Sequence, residues 1–280
     1  LVYVSAWLKR YHPAQFTAAL LNSQPMGFYA PAQLVADARR HGVQVLGVDI
    51  NHSDWDCTVD GDAMGRGWSV SGDQVGRGPA LRLGLRTVRG LAESVARRIV
   101  VERERATYQS VGDLARRVGL GEGEMVRLTR ADVFGSLETG RREAVWDALA
   151  DRSEQPLWGG VIGSQSVEWP HMSDFEEVVA DYRAQGLSLR GHPFESLRER
   201  VERLGATTAV GLGQVPHGRR AVVAGLVLLR QRPSSARGVT FVTLEDETGV
   251  ANLIIKPKVW ETHRQAARSA TALMAFGTVQ

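Results

Sequence analysis

The stretch LGLRTVRGLAESVARRIVVERE, residues 83–104, folds a tight tripeptide, Gly90-Leu91-Ala92, between two apolar patterns. Before it, Leu81, Leu83 and Leu85 alternate and lead into Val88, as a strand or a short helix would. After it, Val95, Ala96, Ile99 and Val100 mark one face of a helix. Gly90 can supply the positive φ that a tight hairpin between helices needs. The second helix then opens with backbone N–H groups that have no intrahelical partner and carry partial positive charge.

Such a terminus holds a phosphate oxygen without touching a base. Arg89, Arg97 and Arg98 would extend that charge along a polyanion, so Arg89, Gly90, Leu91, Ala92, Arg97 and Arg98 form the first candidate binding set. The spacing resembles a helix-hairpin-helix motif, with Ala92 where the usual hairpin has its second glycine. A methyl there would push a phosphate outward. The competing reading is a plain connecting turn in a helical bundle. A second hairpin is expected around RLTRADVFGSL, residues 127–137. Asp132 sits there where a glycine would help, and its carboxylate repels phosphate, so that copy is expected to be structural.

The chain has 280 residues, enough for two or three domains, and 43% of them are apolar. Its net charge of +3 is unevenly spread. Residues 81–105 hold seven arginines against three glutamates, a local surplus of four. That concentration suits a polyanionic partner. Lysine occurs only at Lys9, Lys256 and Lys258, so the arginine richness also fits a coding bias. No apolar run approaches the roughly 18 residues of a membrane span. The opening LVYVSAWLKRYHPAQF lacks the pattern of a signal peptide, so no membrane partner is expected. The single cysteine, Cys57, cannot close an internal disulfide and fits a reducing cytoplasm.

Four segments are expected. In residues 1–80, helical periodicity runs through Trp7, Leu8, Tyr11, Phe16, Leu20 and Leu21. A further helix is expected over residues 32–41, ended by Gly42, then an extended VQVLGVDI and a glycine-rich loop. Residues 81–150 form a helical block in which Ser110 and Asp113 resemble a capping box. Residues 151–215 are read as a connector. From residue 216 the texture changes to β-rich runs, AVVAGLVLLRQ, VTFVTLEDE and VANLIIK, then a helix over residues 259–267 and a fourth run, ALMAFGTV. Three strands, a helix and a strand match an OB-type Greek-key barrel whose fifth strand is missing.

Several stretches together carry a family resemblance. AWLKRYHPAQFTAALLNSQPMGFYAPAQLVADARRHGV, SDWDC, LRLGLRTVRGLAE, DYRAQGLSLRGHP, AVVAGLVLLRQRP and LEDETGVANLII resemble the bacterial C-family DNA polymerase III α subunit. GLSLRGHP and LEDETGVANLII point to its error-prone, damage-tolerant paralogue. The resemblance implies a multidomain α+β chain: the end of the fingers, a tandem helix-hairpin-helix region, a connector and a truncated OB-type barrel. It implies DNA as partner, both primer–template and single-stranded template, with accessory mutagenesis proteins or a sliding clamp as further partners. It also implies a parent nucleotidyltransferase using Mg2+, with the catalytic carboxylates in a palm upstream of these residues. Val48, Lys256 and Asp132 depart from the family pattern.

No catalytic centre is therefore expected here. Asp54 and Asp56 alternate as metal-holding acids would, but a polar loop is the favoured reading over a metal nuclease. The seven histidines lack metal-ligand spacing. Cys57 reads as a buried thiol. In the β-rich region Arg230, Arg232, Phe241 and Lys256 are candidates for single-stranded DNA, although Phe241 also suits a core position. Gln155-Pro156-Leu157-Trp158 is a degenerate match to a clamp-binding peptide, and an exposed linker is the favoured reading. A protein-interaction module is the alternative to DNA binding.

Overall fold

The computed structural model describes residues 2–25, 29–60, 78–149 and 170–280. The glycine-rich loop and Gln155–Trp158 stretch fall largely or wholly outside the described residues. By its contacts the chain divides into two compact units, Leu1–Leu189 and Arg190–Gln280.

The first unit opens with α1 (Val2–Tyr11), α2 (Pro13–Asn22) and α3 (Pro31–Arg40). Gly42, at φ +80, follows α3 as its C-terminal turn. Of the expected extended run only β1 (Val45–Leu46) pairs, lying parallel to β3, with β2 (Thr58–Asp60) antiparallel on its other side; β3 spans Ala80–Arg82. A 3-10 turn, Leu85–Thr87, then leads through Gly90 into α4 (Glu93–Arg105). Both alternatives for the leucine-rich approach are thus realised, a strand and then a short helix. After α4 come α5 (Val111–Val118), α6 (Glu122–Arg130), a 3-10 turn (Gly135–Leu137), α7 (Arg141–Leu149) and α8 (Asp174–Ala184). The Ser110 hydroxyl accepts from the Asp113 amide at 3.0 Å, the expected cap of α5.

One apolar core runs from Ala14 in α2 to Leu187 beyond α8. The segments expected as fingers and as helical block therefore fold around shared side chains. Asp49 fastens them: its carboxylate accepts from the Asn51 amide at 2.8 Å and the Ser136 amide at 2.7 Å. Asn51 in turn holds Tyr108 at both its backbone amide and its carbonyl. Val48, the departure from the family's proline, is buried in this loop.

The second unit holds α9 (Arg198–Arg203), β4 (Ala206–Thr207), α10 (Ala209–Leu212), β5 (Arg220–Gln231), β6 (Thr240–Glu245), β7 (Val250–Ile255), α11 (Pro257–Thr262), α12 (Arg264–Ser269) and β8 (Ala272–Thr278). The long β5 organises the sheet. Its first half pairs with β8 on one side and β4 on the other, and its second half pairs with β6, which pairs with β7. A register shift between Val227 and Leu229 bends it from one set of partners to the next. The result is a curled half-barrel consistent with a truncated OB-type barrel. Val223 faces Val242, Leu244 and Ala251 on one side of β5, while Ala224 packs with Phe194, Val201 and Ala206 on the other. The segment expected as a connector is thus divided: Leu187 is buried in the first unit, and Phe194, Val201 and Ala206 are buried in the second.

Arg198 ties α9 to the β6–β7 turn, reaching Asp246 at 2.9 Å and Glu247 at 2.5 Å. Burial works against the Asp246 charge. Hydrogen bonds from the Thr248 hydroxyl and from the Ala209, Thr248 and Gly249 amides outweigh it, holding the carboxyl below its usual range.

Candidate nucleic-acid interface

Two hairpins in the first unit share one backbone course. Gly90 and Gly119 stand at φ +77 and +67, in the left-handed region where a side chain costs roughly 1–2 kcal/mol. The next residues, Leu91 and Leu120, turn into the core. Ala92 and Gly121 then cap α4 and α6 in extended backbone, at φ −78, ψ 143 and φ −75, ψ 165. Ile99 and Leu128, each nine positions past its glycine, are fully buried. Ala92 therefore needs no glycine for its conformation, and its methyl is exposed.

The second hairpin expected around residues 127–137 stands instead at Gly119-Leu120-Gly121. Its signal was present in the sequence: an amphipathic run through Val111, Leu114, Ala115 and Val118, then Gly-Leu-Gly, then Met125 and Leu128. The segment at residues 131–134 is the turn leaving α6. There Asp132 adopts φ +55, where a glycine would be at ease. Its carboxylate lies 3.6 Å from the buried Arg141, which also meets Glu177 at 3.0 Å and Asp181.

The two helix openings differ electrostatically. Glu124 accepts the Gly121 amide at 2.9 Å, and Glu122 adds a second carboxylate to the first turn of α6. Among the described residues no acceptor meets the amides of Ala92, Glu93 or Ser94. The one acid in that turn, Glu93, is bonded to Arg97 at 2.5 and 2.8 Å. The first hairpin is the better seat for an anion.

The arginines around it are less free than their number suggests. Arg82 meets Asp60, Arg86 meets Asp56, Arg103 meets Asp54 and Arg105 meets Glu102, each at 2.6 Å. Arg97 is paired with Glu93, and Arg98 lies 3.9 Å from Glu124. Of the seven, Arg89 has no carboxylate partner among the described residues. Its guanidinium donates to the Arg183 carbonyl at 3.3 Å, and its amide donates to Ala184 at 2.9 Å, so the end of α8 braces the turn. These pairs also account for Asp54 and Asp56, which hold arginines of the fold. Among the described residues no group of three His, Cys, Asp or Glu could hold a metal ion. Cys57 is buried, and burial pushes its thiol pKa up.

In the second unit the outer face of β6 and β7 carries Phe241, 39% exposed, directly across from Ile254, 55% exposed. Lys256 follows β7 as the exposed cap of α11. Arg232 lies over the Trp260 ring at 5.9 Å. Arg230 is placed otherwise: its guanidinium donates to the Ala267 carbonyl at 2.6 Å and to the Ala270 carbonyl, closing the end of α12. Ile254, which shares this face with Phe241, and Trp260, which lies beside Arg232, had not been singled out in the sequence. Only strand register and the packing of α11 bring them beside Phe241 and Arg232.

The two hairpins lie within residues 42–144, which match the helix-hairpin-helix motif family. Over its whole length the chain is a homologue of a C-terminal part of the error-prone DNA polymerases. It is 47% identical to the error-prone DNA polymerase of Methylococcus capsulatus over 287 residues, covering all of this chain and 27% of that protein. The corresponding proteins of Anaeromyxobacter sp. (strain K) and Brucella abortus are 46% and 42% identical, with 24% and 25% of their lengths covered. The chain thus spans about a quarter of the curated relatives it matches. Among the described residues no helix is long and apolar enough to cross a membrane.

Proposed function

We propose that this chain grips primer–template DNA by its backbone, as part of an error-prone polymerase working in damage-tolerant, translesion synthesis in the cytoplasm. One observation carries the reading: a hairpin with a positive-φ glycine opens α4 with three unaccepted amides, inside the segment that matches the helix-hairpin-helix family. Contacts of this kind position DNA without reading its sequence. Phe241 on the outer face of β6, and Trp260 with Arg232 and Lys256 at α11, would guide the single-stranded template by stacking and charge. Mg2+ and deoxynucleotides would serve the parent polymerase at carboxylates outside these residues.

Fluorescence anisotropy with a labelled primer–template across a salt series tests the reading. Backbone contacts release counterions, so log affinity should fall linearly with log salt, and two unrelated sequences should bind alike. Binding that ignores salt, or that differs strongly between the two sequences, would contradict it.

A further inference from the structure

Arg127 leaves α6 between core positions: Met125, Leu128 and Thr129 are fully buried, so packing fixes the direction of its side chain. That direction is toward the first hairpin. A Cβ placed on Gly90 would stand 3.1 Å from Arg127 Nε and 3.4 Å from its Cδ. The bare glycine is what leaves the guanidinium room to lie there. Arg127 is itself exposed, and among the described residues its guanidinium has no hydrogen bond or ion pair. Every other arginine named at the first hairpin is occupied: Arg97 by Glu93, Arg98 by Glu124 at long range, and Arg89 by the Arg183 carbonyl.

We propose that Arg127, borne by the helix of the second hairpin, supplies the phosphate-contacting guanidinium of the first. The site is then composite. One hairpin contributes the turn and its amides, and the other contributes a planar cation able to hold two phosphate oxygens at once. The proposal rests on the reading of the first hairpin as a backbone grip. It explains why the second hairpin persists although Glu122 and Glu124 make its own helix opening hostile to an anion. It also gives the glycine at 90 a second purpose, since a side chain there would crowd Arg127 as well as strain the turn.

The test is salt-series anisotropy on the whole chain, with wild type, Arg127→Gln, Arg127→Lys and Arg116→Gln. Arg116 is a solvent-exposed control on α5, paired with Asp113 at 3.4 Å. Thermal melting of each variant checks that the fold is kept, and Arg127→Lys retains the charge if the glutamine variant melts early. Arg127→Gln should weaken binding roughly tenfold, as for a lost hydrogen bond to a charged group. It should also flatten the log–log slope by about 0.9, the share of one phosphate. Arg127→Lys should keep the slope with reduced affinity, and Arg116→Gln should match wild type. Wild-type affinity and slope in Arg127→Gln, with wild type itself salt-sensitive, would overturn the composite site and leave the hairpin reading standing. Salt-insensitive binding or none by wild type would overturn both.

Discussion

Gly90 combines two demands at one position, a left-handed backbone and an empty space beside Arg127. Gly90→Ala should cost about 1–2 kcal/mol of stability. It should weaken DNA binding by more than an equally destabilising change in the core does; paired melting and anisotropy measurements separate the two effects. Tyr108 makes a second residue-level prediction. Its hydroxyl donates to the Ile99 carbonyl at 2.7 Å, and burial pushes its pKa up to about 12, against the opposing pull of Arg117 above its ring. The fold favours the neutral phenol, so its stabilising contribution is complete below the ordinary value of 10.0 and is lost as pH rises through about 12. Melting temperature followed against pH should fall across that window, and Tyr108→Phe should remove this component of the fall. An unchanged profile in the variant would assign the alkaline loss to other groups.

At the scale of elements, the two hairpins are the same turn with opposite electrostatics. Glu124→Gln should remove charge from the opening of α6 and release Arg98, raising DNA affinity by roughly a few-fold for a stability cost below about 1 kcal/mol. Anisotropy at low salt reads this directly, and weaker binding would contradict the assigned roles. The first hairpin was legible because Gly90 sits between two clear apolar patterns in a run of arginines. The second carries the same Gly-Leu spacing, but Glu122 and Glu124 follow it, whereas arginines surround the first. The Ser110 cap of α5 was visible as a local pattern, since both partners lie within one turn. Arg97 meets Glu93 one turn away on the same helix, whereas the partner of Arg98, Glu124, is fixed only once α4 and α6 are in place. Arg127 had no sequence signal at all: its place over Gly90 depends on how the second hairpin packs. Likewise, Arg230 and Arg232 are equivalent in sequence, but Arg230 lies within β5 and reaches the end of α12, while Arg232 falls just past the strand and lies over Trp260.

For the whole molecule, each apolar core belongs to one of the two contact units. Leu244→Ala, at a side chain only 1% exposed, should destabilise the unit spanning Arg190–Gln280 by about 2–5 kcal/mol. The melting of the unit spanning Leu1–Leu189 should stay in place, which hydrogen exchange resolved by segment can follow. The two units also divide the proposed labour, with backbone grip in the first and template guidance in the second. On that division, the first hairpin is where duplex DNA would be gripped. The most direct measurement is amide hydrogen exchange of the whole chain with and without primer–template DNA. Protection should appear at the amides of residues 90–94 and at the start of α4, with much less at Gly119–Gly121. Unchanged exchange at residues 90–94 in a DNA-saturated sample, with protection confined to β6 and β7, would contradict it.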